Sequence, residues 1–68
     1  MPYINIKVTG GSEAPSAEQK AELIKGATDL LAKVLNKNPK TTVVVIDEVD
    51  MDNYGIGGES VSVLRSRS

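Results

Sequence analysis

Sixty-eight residues make at most one small domain, and with no cysteine and no histidine the chain has neither a disulfide nor zinc's favoured ligands to offset a small core. Eight basic against nine acidic residues leave a net charge of −1, and Tyr3 and Tyr54 are the only aromatics, which argues against a nucleic-acid partner needing a basic patch or a stacking platform. The longest apolar run is the four residues Val43 to Ile46, too short for a membrane span or a signal-peptide core, so the expectation is a cytoplasmic single domain over 1–68, stabilised by self-association.

In chain order, Ile4, Ile6 and Val8 alternate with Asn5, Lys7 and Thr9, the period of a strand with one buried face. Gly10 to Pro15, with two glycines and a proline, reads as a loop. Ser16-Ala17-Glu18-Gln19 fits a capping box. It precedes one apolar stripe at helical period: Leu23, Ile24, Ala27, Leu30, Leu31, Val34 and Leu35. Glu22/Lys25 and Asp29/Lys33 are spaced as ion pairs on the polar face. Asn36-Lys37-Asn38-Pro39 stops the helix, placing it at about 16–36.

Thr41 to Ile46 is a β-branched run and predicts a second strand, buried on both faces or nearly so. Asp47 to Asn53 reads as a polar, acidic loop, and Gly55-Ile56-Gly57-Gly58 as a turn. Ser60 to Leu64 alternates again, as in a short strand. Strand, helix, strand is a β-α-β unit with parallel strands and one right-handed crossover. Its helix covers one face of the sheet. The other face, with Val43 and Val45, and both open edges call for another subunit.

Most catalytic constellations are absent from the composition. Without histidine or cysteine there is no Ser-His-Asp or Cys-His arrangement. The glycine segment lacks the lysine and following helix of a phosphate loop. Asp47, Glu48, Asp50 and Asp52 lack calcium-loop spacing and read as a solvated acidic loop. No cofactor or metal site is expected. What is left is Met1-Pro2. Once the initiator methionine is removed, Pro2 is an amino-terminal secondary amine. An apolar pocket lowers its pKa toward the working pH, as a general base requires.

Met1-Pro2-Tyr3-Ile4-Asn5-Ile6, Ser16-Ala17-Glu18-Gln19-Lys20 and Asn53-Tyr54-Gly55-Ile56-Gly57-Gly58-Glu59 together resemble the 4-oxalocrotonate tautomerase family, over nearly the whole chain. The similarity is greatest to its DmpI-type members. The resemblance implies an α+β tautomerase subunit of β-α-β form, paired into dimers and assembled as a homohexamer. It implies a cofactor-free isomerase acting on a small 2-hydroxydienoate such as 2-hydroxymuconate, in aromatic degradation, with Pro2 as the catalytic base. Tyr54 falls where the family has an aromatic residue lining the substrate pocket, and its hydroxyl adds a hydrogen-bond donor for a developing enolate. The family's two substrate-binding arginines are missing: the loop before Ser16 has none, and Val43 stands at the second position. Lys40, Arg65, or Tyr54 with glycine-segment amides are the candidate replacements. Rival readings are decarboxylation, hydration or dehalogenation of a small unsaturated acid, and a non-catalytic oligomer.

Overall fold

The computed structural model describes residues 1–67. Strand β1 (Tyr3–Thr9) and strand β2 (Val43–Val49) lie side by side and parallel, in a register that pairs Tyr3 with Val43 and Thr9 with Val49. Helix α1 (Ala17–Leu35) is the crossover between them. Ile4, Ile6 and Val8 are half-buried beside Val44 and Ile46. An ion pair from Lys20 on α1 to Glu48 fixes that face of β2 against the helix. The opposite face carries a polar cluster instead. Asn5 and Lys7 both donate to Asp47 Oδ2, each at 2.9 Å.

The helix is bounded as its sequence predicts. Ser16 is the N-cap: its Oγ accepts the Gln19 N–H and the Gln19 side chain accepts the Ser16 N–H, the reciprocal capping box. Asn36 ends the helix in the left-handed region at φ 56°, a conformation asparagine tolerates better than most residues. The polar face differs in detail. Lys25 pairs with Asp29 at 2.9 Å in place of the Glu22/Lys25 and Asp29/Lys33 pairs expected. None of the helices is long and apolar enough to cross a membrane among the described residues.

The second strand starts later and runs further than its β-branched run suggested. Pro39–Thr41 forms a 3-10 turn, held by the Asn38 side chain accepting the Lys40 N–H and by the Thr41 and Thr42 hydroxyls donating to the Asn38 carbonyl. At its far end β2 takes in Asp47 and Glu48, expected in the loop. Lys7 and Lys20 satisfy their charges, so pairing with β1 continues to Val49.

After a 3-10 turn at Met51–Asn53, strands β3 (Gly55–Ile56) and β4 (Glu59–Ser60) form a tight antiparallel hairpin. Its two loop residues, Gly57 and Gly58, have φ of 62° and 87°. Two consecutive positive values favour glycine and match the hand of a strand ribbon. The predicted strand over 60–64 is a helix instead, α2 (Val61–Arg67). Ser60 Oγ accepts the Val63 N–H as a cap does. Val61 and Leu64 then share one face at helical spacing.

Val61, 1% exposed, is the one fully buried hydrophobic side chain among the described residues. Tyr3, Leu30, Val34, Val43 and Ile56 all stand open to solvent. The Cα radius of gyration is 15.0 Å, with a long axis of 44 Å. A compact domain of this length measures about 11 Å. The protomer is thus an elongated plate whose apolar surfaces are largely unspent.

Candidate active site

Pro2 lies immediately before β1. It is half-buried, and its carbonyl accepts the Val43 N–H at 3.0 Å. That bond fixes Pro2 at the edge of the sheet where β2 also begins. Met1 projects into solvent, 89% exposed. While Met1 is attached, the Pro2 nitrogen is a tertiary amide and has no basicity. Its removal creates the amine without disturbing the Pro2 carbonyl bond.

Tyr54 lies at the other end. It follows the turn beyond β2, is half-buried, and its carbonyl accepts the Val61 N–H at 2.7 Å. The parallel arrangement causes the separation: both strands run away from Pro2, and Tyr54 comes after the second has ended. Seven strand residues at about 3.3 Å each put roughly 20 Å between the two ends. One chain therefore does not bring Pro2 and Tyr54 together.

The cations divide in the same way. Lys40 sits in the 3-10 turn leading to Val43, hence at the Pro2 end. Lys37 belongs to the same short link, just after the left-handed Asn36. In the sequence, Lys37 reads only as part of a helix stop. The signal that finds it is its place between the helix end and a strand that starts beside Pro2. Arg65 is at the Tyr54 end, on α2. Its Nε donates to Glu13 Oε2 at 2.5 Å and its Nη2 to Oε1 at 3.4 Å. Arg67 pairs with Glu59 at 2.6 Å.

Those contacts set the electrostatics. The Arg65 guanidinium, and after it the Thr9 hydroxyl donating at 2.7 Å, hold the Glu13 carboxyl below its usual range, and Arg65 is raised in return. Asp47 is lowered first by the Asn5 amide and then by Lys7. The acidic segment is dispersed: Asp47 and Glu48 serve lysines, and Asp52 accepts the Ser62 hydroxyl at 2.5 Å.

Two open grooves mark the surface. One of about 460 Å³ is lined by Pro15, Gln19, Glu22 and Leu23, and one of about 290 Å³ lies between Gly11, Asp50 and Ser62. Neither touches Pro2 or Tyr54. Among the described residues, then, neither groove supplies Pro2 or Tyr54 with the concave pocket that small-molecule chemistry needs.

Residues 2–64 match the model of a family described as "Tautomerase enzyme". The chain is 56% identical to a "Probable tautomerase" of Helicobacter pylori (strain ATCC 700392 / 26695) over 68 residues, the whole of both chains. It superposes on the crystal structure of DmpI from Helicobacter pylori with a TM-score of 0.89 at 55% identity, covering 98% of this chain and 100% of that one. It also superposes on a heterohexamer 4-oxalocrotonate tautomerase from Chloroflexus aurantiacus J-10-fl, with a TM-score of 0.83 at 29% identity and 96% and 100% coverage.

Proposed function

The chain belongs to the tautomerase family, and from that premise we propose that it is a cofactor-independent tautomerase with Pro2, freed of Met1, as general base. The observation that carries this reading is that the family match begins at Pro2 itself. Among the described residues neither groove offers a rival catalytic centre with a candidate base and an enclosed pocket.

The proposed reaction is a proton relay on a small 2-hydroxydienoate such as 2-hydroxymuconate. The Pro2 amine takes the hydroxyl proton of the dienol. As the carbonyl forms, the same proton is returned to a carbon further along the conjugated chain. The π bonds shift along the conjugated chain and no σ bond other than those to hydrogen is made or broken, so a single base of matched pKa suffices. Apolar surroundings keep the amine neutral at the working pH by penalising its protonated form.

The remaining parts of the site come from a second and third copy of the chain. The roughly 20 Å separation of Pro2 and Tyr54 within one protomer supports this sharing, as does the largely exposed apolar surface, which favours assembly. The proposed assembly is a homohexamer, and the heterohexamer formed by the Chloroflexus relative supports an assembly of six chains. Tyr54 then donates to the oxygen that carries charge in the transition state. Lys40, in the turn that leads to the strand beside Pro2, or Lys37 in the same link, binds the substrate carboxylate in place of the absent arginines. A flexible lysine holds a carboxylate less rigidly than a bidentate arginine does, and turnover on a dicarboxylate is accordingly modest.

The test is a rate assay on 2-hydroxymuconate with intact mass measured on the same sample. Protein lacking Met1 is expected to be active. Pro2→Ala should lower kcat/KM by about 10² to 10⁴. Lys40→Ala and Lys37→Ala, compared side by side, assign the carboxylate contact to whichever raises KM, by roughly tenfold or more. An unchanged rate in Pro2→Ala would falsify the assignment of the base. Activity confined to halogenated or decarboxylating substrates would point to one of the rival reactions.

A further inference from the structure

We infer that Glu13 and Arg65, with Thr9, form a latch that positions Tyr54 for the site, the inference resting on the proposed role of Tyr54 just given. Tyr54 and α2 are mechanically one piece. The Tyr54 carbonyl holds the first amide of α2, and Val61 anchors that junction as the fully buried side chain. Arg65 lies one helical turn beyond Val61, on the same side of α2. It reaches across 52 positions of sequence to Glu13, in the 3-10 turn that follows β1. Thr9, the last residue of β1, donates its hydroxyl to the same carboxylate. Gly10 continues the link by donating its N–H to the Val49 carbonyl at 2.8 Å.

The chain of contacts therefore runs from the end of the sheet, through one carboxylate, to the helix whose first amide is held by the Tyr54 carbonyl. The hairpin next to Tyr54 cannot do this work. It is a two-residue ribbon with an exposed Ile56 and two left-handed glycines, and such short ribbons are not rigid alone. The latch is half in solvent, with side-chain exposures of 56% for Arg65 and 32% for Glu13. Paired charges at such exposure add little to global stability. Their effect is on geometry, and an aromatic donor displaced by about 1 Å loses rate steeply. Glu13 and Arg65 are positioning residues: they act through Tyr54 and touch no substrate.

Glu13→Gln and Arg65→Gln are to be made in the full chain with Met1 removed, with assembly checked by size. Both should lower kcat by about tenfold with KM little changed, since the Tyr54 bond strengthens only in the transition state. Both should also speed amide exchange at Val61. Thr9→Val, which keeps a β-branched strand residue, should move both readouts the same way by less. Exchanging the charges, Glu13→Arg with Arg65→Glu, should restore most of the rate and the protection. A guanidinium acting directly on substrate would not be rescued in that way. The latch is overturned by a rate loss in Arg65→Gln alone, by unchanged Val61 exchange in both single variants, or by no recovery in the exchanged pair. Val61 exchange is read without turnover, so a failure of Pro2 as the base would be seen separately.

Discussion

At the scale of single residues, the charges of this chain are spent on holding its pieces together. Asp47 illustrates the cost and its sign. Its folded pKa lies below the ordinary 3.8 because Asn5 and Lys7 favour the carboxylate. Glu13 lies below 4.5 for the same kind of reason. A depressed carboxyl pKa contributes stability that is present above the unfolded value and is lost as pH falls through the folded one. The melting temperature should therefore decline as the solution is acidified below about pH 4.5. Asp47→Asn should flatten that decline, and melts of the two proteins at about pH 5 and pH 3 compare them directly. An equal decline in the variant would mean that Asp47 has no part in it. The residue scale is also where the chain departs from the family pattern. Tyr54 in the aromatic position and the absence of both arginines are plain in the sequence. Which lysine falls at the Pro2 end of the sheet is not, because the turn that holds Lys40 leads to a strand that starts beside Pro2 only through the parallel pairing of Tyr3 with Val43.

At the scale of elements, the helix was the most legible part. Its cap and stop each have a local cause and lie within a residue of their expected places, whereas of its apolar stripe only Ala27 and Leu31 are half-buried and the other five residues are exposed. Ser16→Ala removes the oxygen that satisfies the Gln19 amide, and should cost about 1 kcal/mol in chemical denaturation. A cost near zero would mean that neighbouring copies, not the cap, hold the helix start. The strand ends were less legible. Asp47 and Glu48 look like loop residues until lysines from β1 and α1 meet them. The stretch Ser60 to Leu64 misled because five residues are too few to separate the two periods: Val61, Val63 match a strand, and Val61, Leu64 match a helix. The cap from Ser60 and the bond from Val61 to Tyr54 decide for the helix. Neither leaves a mark in composition.

At the scale of the whole molecule, the sequence pointed to a deficit and the structure locates it. Val43 and much of the apolar stripe of α1, Leu30 and Val34 included, are exposed together with Tyr3 and Ile56. A protomer with one fully buried hydrophobic side chain among its described residues does not hold 19 residues of helix in place by packing alone. Folding and association are therefore expected as one event. The apparent melting temperature should rise with protein concentration, as mass action requires. Val43→Asp should break the assembly and lose helical circular dichroism along with it. A monomer of Val43→Asp that keeps its helix would show that the protomer stands by itself.

The placement of Pro2 and Tyr54 at opposite ends of parallel strands has a consequence for inheritance. When each site is shared between copies, a chain that has lost Pro2 still lends a sound Tyr54 to its neighbour, and the reverse holds for a chain that has lost Tyr54. Two defective alleles expressed in one cell would then rebuild some working sites where either alone makes none. Mixed assemblies of Pro2→Ala and Tyr54→Ala chains, refolded together, should recover activity that neither pure preparation has.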